Sequence, residues 1–160
     1  MKHTQIAQIS NEDIFYADFK SGGSRDLKVN GSVTPVEFTL EDLTSEKFIL
    51  TRIDFLISCG TSVDLNLFGS IAALVDGIDF AINGTVTFKN NGDILLFVTD
   101  AGTEVGKIEG VDAAFINGHW DTLKSFQNGL VCVRDNFKIT VNDDLSAINY
   151  FRISASGVKI

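Results

Sequence analysis

Three features of the chain predict an all-β fold, an antiparallel β-sandwich of jelly-roll-like outline with one or two short helices. The first is Phe48 to Cys59, FILTRIDFLISC, which is about twice the usual length of a strand. Four β-branched and two aromatic residues crowd this run and argue against a helix. The second is a recurrence of turn signals between roughly eight to ten short runs of alternating or apolar residues, the pattern of sandwiches and jelly rolls. The third is negative: strand-like and helix-like patterns do not alternate as a βαβ sheet requires, and no fixed-period repeat is present.

The long run is the centre of the prediction. At period two, one face carries Ile49, Thr51, Ile53, Phe55, Ile57 and Cys59, apolar except for one threonine, and is assigned to the core. The other carries Phe48, Leu50, Arg52, Asp54, Leu56 and Ser58, apolar at both ends and charged in the middle. That charged middle is expected to reach water or another subunit.

In chain order, residues 1–13 are expected to form a polar N-terminal arm and residues 14–160 a single β-sandwich domain. Ile14 to Phe19 reads as a short strand and Ser21 to Ser24 as a break. Leu27 to Asn30 reads as a strand, closed by the tight-turn pair Asn30-Gly31. Ser32 to Leu40 alternates again, and Pro35, which cannot donate to a ladder, marks a strand start or an edge. After the long strand, Ser70 to Leu74 suits a short helix. Ile78 to Ile82 is a strand that ends at Asn83-Gly84. Thr85 to Lys89 and Ile94 to Thr99 flank Asn90 to Asp93 and read as the clearest hairpin. Ala101 to Gly110 reads as a loop with a short strand at Val105 to Ile108. Val111 to Asn128 is the least β-like stretch, interrupted by Asn117-Gly118, and is expected to be a loop or short-helix excursion. Leu130 to Val133, Phe137 to Val141 and Ile148 to Ala155 complete the strands.

The chain has 160 residues, enough for one domain with a substantial core, and 13 of them are phenylalanine, so aromatic burial should dominate that core. A net charge of −8 argues against nucleic acid and anionic membranes as direct partners. Cys59 and Cys132 lie in apolar runs without metal-ligand spacing, which predicts buried free thiols. The opening MKHTQIAQISNEDIF has no apolar signal core and no run approaches a membrane span, so synthesis in the cytoplasm without standard export is expected.

Chemistry-bearing patterns are sparse. His119-Trp120-Asp121 is the one cluster with catalytic residue types, and a single histidine beside an aspartate is more often a surface pair than an acid–base dyad. Trp120 suits a plug for the end of the sandwich, a surface buried against a neighbouring chain, or a sugar platform beside Asn117, His119 and Asp121. There is no nucleophile elbow and no phosphate loop. The acidic pairs Glu41/Asp42, Asp76/Asp79, Asp112/Asp121 and Asp143/Asp144 lack the spacing of a calcium loop, and Asp143-Asp144 reads as a turn. The expectation is a non-catalytic protein without metal or cofactor.

Three stretches, LKVNGSVTPVEFTL (Leu27 to Leu40), LFGSIAALVDGIDF (Leu67 to Phe80) and ITVNDDLSAINYFRISASG (Ile139 to Gly157), resemble virion proteins of tailed bacteriophages, of the head-decoration or cement type. Members carry asparagine-glycine in the middle stretch, where this chain keeps the turn as Asp76-Gly77. The resemblance implies a virion structural protein with a β-sandwich or jelly-roll fold. It also implies the major capsid protein and copies of itself, as a trimer or dimer, as partners. Candidate interface residues are Ile6, Ile9 and Phe15 in and beside the arm, and Phe115, His119 and Trp120 in the excursion. A tail or neck component and a carbohydrate-binding jelly-roll module are the alternatives.

Overall fold

The computed structural model describes residues 12–60, 76–88, 100–108 and 110–160, without the side chains of 59–60, 87–88, 100–105 and 112. Ile6 and Ile9, the short helix expected at Ser70 to Leu74, the Asn90 to Asp93 turn with its second arm, and the Cys59 thiol lie outside this description.

Ten strands are described: β1 (Ile14–Lys20), β2 (Val36–Leu40), β3 (Lys47–Gly60), β4 (Ile78–Ile82), β5 (Thr85–Phe88), β6 (Asp100–Ile108), β7 (Val111–Asp121), β8 (Leu130–Val133), β9 (Lys138–Val141) and β10 (Tyr150–Lys159). One short helix, α1 (Thr122–Ser125), and a 3₁₀ turn (Arg134–Asn136) accompany them. All ten strands belong to one antiparallel sheet ordered β5-β4-β9-β2-β1-β10-β3-β7-β6, with β8 paired to β3 beyond the end of β7; the sheet is not closed.

The sheet curls over its own apolar face. Strand β1 is the pivot: residues 14–18 pair with β10, whereas Phe19 and Lys20 pair with β2. Strands β4 and β3 stand five positions apart in the sheet, about 24 Å if it were flat. Yet Phe80 of β4 and Phe48 of β3 both pack on Phe137, with ring centroids 5.5 and 5.3 Å away. Phe19 joins them, 5.1 Å from Phe137 and 5.7 Å from Phe80, and Phe15 meets Phe48 edge-on at 5.2 Å. Leu27, Leu145 and Ile148, all fully buried on connections, fill the remaining space. The abundance of phenylalanine thus becomes one aromatic core shared by both wings of the sheet.

The β4–β5 turn meets β8 through a side chain. Asn83 and Gly84 form the tight turn between β4 and β5, both at positive φ (51° and 78°), a conformation asparagine and glycine tolerate best. From there the Asn83 amide donates to the Val131 carbonyl at 2.9 Å and accepts from the Val133 amide at 2.7 Å. It therefore serves both polarities of β8 as a neighbouring strand would.

Strand β3 corrects the sequence reading of its faces. Ile53, Phe55 and Ile57 point inward as expected, but so do Phe48 and Leu50, while Ile49 is only partly buried. The cause is a bulge. Ser156 faces Arg52 and Gly157 faces Leu50, so Thr51 is the extra residue and the alternation changes phase there. The bulge is held by the Thr51 hydroxyl donating to the Ser156 carbonyl at 3.1 Å and by the Thr122 hydroxyl donating to the Leu50 carbonyl. A Cβ at Gly157 would sit 2.1 Å from the Ile49 carbonyl oxygen, so only glycine permits this approach.

Three further expectations change. Val111 to Asn128 is chiefly the eleven-residue strand β7, because Asn117-Gly118 continues the ladder opposite Leu56 and Phe55 instead of breaking it. Asp100 to Ile108 is strand throughout, its partner β7 supplying a ladder that the glycines do not interrupt. Leu27 to Asn30 is irregular chain whose Leu27 amide bonds to the Phe151 carbonyl; Asn30 makes only an isolated bridge to Asp144. Thr85 to Phe88 pairs back onto β4.

Candidate functional site

The outer face of β1, β10, β3 and β7 divides into two zones along the strands. At one end the register lines up Ile14, Val158, Ile49 and Val131 across β1, β10, β3 and β8. Ile14 is 56 % exposed and Val131 51 %, and Leu123 of α1, also 51 % exposed, flanks Gly129 together with Ile49. This is an aliphatic row exposed at its ends and partly buried at Val158 and Ile49, and it exists because the Thr51 bulge turns Ile49 outward.

Toward the other end the same face becomes a concave groove of about 770 Å³. Its rows are Tyr16–Ser156–Arg52, then Asp18–Ser154–Asp54–His119, then Arg152–Leu56–Asn117, with Tyr150 beyond. Asp18 accepts from the Ser154 hydroxyl at 2.6 Å and from Arg25 at 3.3 Å. Asp54 accepts from Arg52 Nε at 2.7 Å. Arg152 has no carboxylate among the described residues. Its guanidinium lies 4.6 Å from the centre of the Tyr150 ring, and its Nε is buried without a hydrogen-bond partner. Phe115 packs edge-on against Tyr150 at 5.7 Å.

The residues singled out from the sequence are dispersed by the strand alternation. His119 lines the groove, half-buried, opposite Asp54. Phe115 stands at the groove's end. Trp120 points to the other side, 7 % exposed, opposite Ile53, with its Nε1 donating to Ser125 Oγ at 3.1 Å. A buried indole offers no platform to a sugar. Phe15 is likewise a core side chain of this chain. Asp121 caps α1 by accepting from the Leu123 amide at 3.0 Å.

The acidic pairs have local duties. Buried Asp143 accepts from the amides of Gly77 at 2.6 Å and Asp76 at 3.1 Å, fastening the start of β4 to the end of β9. Asp144 accepts from the hydroxyl and amide of Ser146, which hold its carboxyl below the usual range. Among the described residues no three metal-ligating side chains gather. Cys132 is a free, buried thiol, and burial pushes it up to about 12.

Sequence reading missed Tyr16, Asp18, Arg25, Tyr150, Arg152 and Ser154. A signal was present: in YFRISAS, Tyr150, Arg152, Ser154 and Ser156 alternate with Phe151, Ile153 and Ala155, so one face of this stretch of β10 is polar. No family model, curated protein or solved structure matches the chain.

Proposed function

We propose that this protein is a non-catalytic structural subunit of a tailed-bacteriophage virion, of the head-decoration type, that works by adhering to other proteins. The observation that carries the reading is the aliphatic row Ile14–Val158–Ile49–Val131 with Leu123, bordered by the charged groove. Aligned apolar side chains on a solvent-facing sheet, rimmed by charges, are what a docking surface needs. The resemblance of the three sequence stretches supplies the virion setting. Docked on the assembled head and on copies of itself, the subunit stabilises the shell because it binds that state and not free capsid protein. Repeated contacts across a lattice add avidity. The N-terminal arm, with Ile6 and Ile9, is a second contact in this reading.

The test is co-sedimentation of the protein with assembled heads of the phage that encodes it. A double variant, Ile14→Lys with Val131→Lys, should keep its melting temperature and lose head binding. Retention by the folded variant removes the row from the account. Deleting Met1 to Asn11 measures the arm separately. Density at the tail or neck of the particle, with none on the head, would move the subunit to the alternative location.

A further inference from the structure

We propose that the outer groove is a binding site for a carboxylated saccharide, with the Arg152 guanidinium holding the carboxylate. The inference is independent of docking through the aliphatic row. In a chain of net charge −8, the groove gathers three arginines and only two aspartates. Arg25 and Arg52 are committed to Asp18 and Asp54, which makes those two pairs neutral. Arg152 is the surplus. Its guanidinium carbon lies over the Tyr150 ring, itself braced by Phe115, and its Nε has no hydrogen-bond partner among the described residues. A guanidinium held on an aromatic ring is pre-organised, and its fork matches a carboxylate through two parallel hydrogen bonds.

The remainder of the lining selects the kind of molecule that carries that carboxylate. Ser156 and Asn117 bring a hydroxyl and an amide to the lining, and the paired aspartates retain lone pairs that accept from sugar hydroxyls. Tyr16, 66 % exposed, stands at the β1 margin as an open ring face. Three strand spacings separate β1 from β7, about 14 Å, which suits a short oligosaccharide laid across the strands. Apart from the two tyrosine rings, the only apolar side chains in the lining are Leu56 and Phe55, so it offers no aliphatic pocket for the side chains of an acidic peptide. A densely charged polymer would meet the protein's net negative field. One unpaired guanidinium among neutral polar groups therefore fits one carboxylate among hydroxyls.

Calorimetric titration of the full chain with trigalacturonate and 3′-sialyllactose, against neutral trigalactose and lactose, tests this. At least one acidic sugar should bind about tenfold or more tightly than its neutral counterpart, the scale of a charge-assisted bond. Arg152→Gln should lose that preference, and Arg152→Lys should restore only part of it, since lysine keeps the charge without the fork. Tyr16→Ala, on another strand, should weaken binding several-fold and decides the matter if Arg152→Gln does not fold. No binding of either acidic sugar, equal binding of the neutral ones, or full binding by folded Arg152→Gln overturns the proposal. A poly-glutamate peptide that binds as tightly reassigns the groove to acidic protein segments and overturns it as well.

Discussion

The inner and outer faces of β3 are built from neighbouring residues and constrained in opposite ways. Inward, Phe48, Leu50, Ile53, Phe55 and Ile57 join an aromatic core in which Phe137 touches three other rings. Outward, Ile49 is only partly buried while Arg52 and Asp54 pair with each other across one turn of the pleat. Inside, every side chain is fixed by contacts whose loss costs stability. Outside, few contacts would be lost by substitution, so the arrangement of residues there is free to serve recognition. The Thr51 bulge is what allows one strand to meet both demands, because it changes the phase of the alternation between the aliphatic row and the groove.

That contrast can be broken at graded points. Phe137→Ala should have the largest effect, about 3–5 kcal/mol in a urea unfolding titration, because it opens a cavity where both wings of the sheet converge. A loss near that of a surface site would mean the wings do not share a core. Gly157→Ala should cost about 1–3 kcal/mol, since its Cβ would drive into the Ile49 carbonyl and undo the bulge. Ile49 should then change its exposure, readable as altered amide exchange along β3. Asn83→Ala should cost about 1–2 kcal/mol through two lost hydrogen bonds to β8. Asn83→Gly tolerates the positive φ and isolates the bonds from the turn, so a fully neutral glycine variant would show that the clamp contributes nothing.

Cys132 offers a pH readout of the interior. Its thiol ionises near 9.0 in the unfolded chain and near 12 when folded, so the folded state keeps a proton that the unfolded state releases. The contribution is fully present below pH 9 and is lost as pH rises from 9 toward 12. Cys132→Ala should flatten that part of the stability profile, and an unchanged profile would contradict burial of the thiol. The smallest stability effects belong outside: Ile14→Lys, Val131→Lys and Arg152→Gln should each shift unfolding by no more than about 0.5 kcal/mol. A larger loss from any of them would place that residue in the structural account instead of the recognition surface.

Much of the fold was legible locally. Phe48 to Cys59 announced its strand through β-branched and aromatic crowding, Asn83-Gly84 announced its turn through the two residues that best tolerate positive φ, and Pro35 marked the start of β2. The errors were local as well. Asn117-Gly118 looked like an interruption, and only the ladder to β3 shows it inside a strand. Trp120 read equally as a plug, a partner contact or a ligand platform, and only its parity on β7 shows it buried within the chain. The candidate site was least legible, since Tyr16, Arg52, Asn117 and Arg152 come from four strands distant in sequence.

By itself, then, the sequence determined the antiparallel β character, the positions of most strands and turns, the phenylalanine-rich core and the acidic surface. These follow from side-chain shape, backbone preference and charge, which act within a few residues. Strand order, the curl about β1, the phase change at Thr51 and the joining of an aliphatic row to a polar groove were decided by the tertiary structure. They depend on which strands exchange hydrogen bonds, and pairing between segments as distant as β1 and β10 leaves no mark in either segment alone.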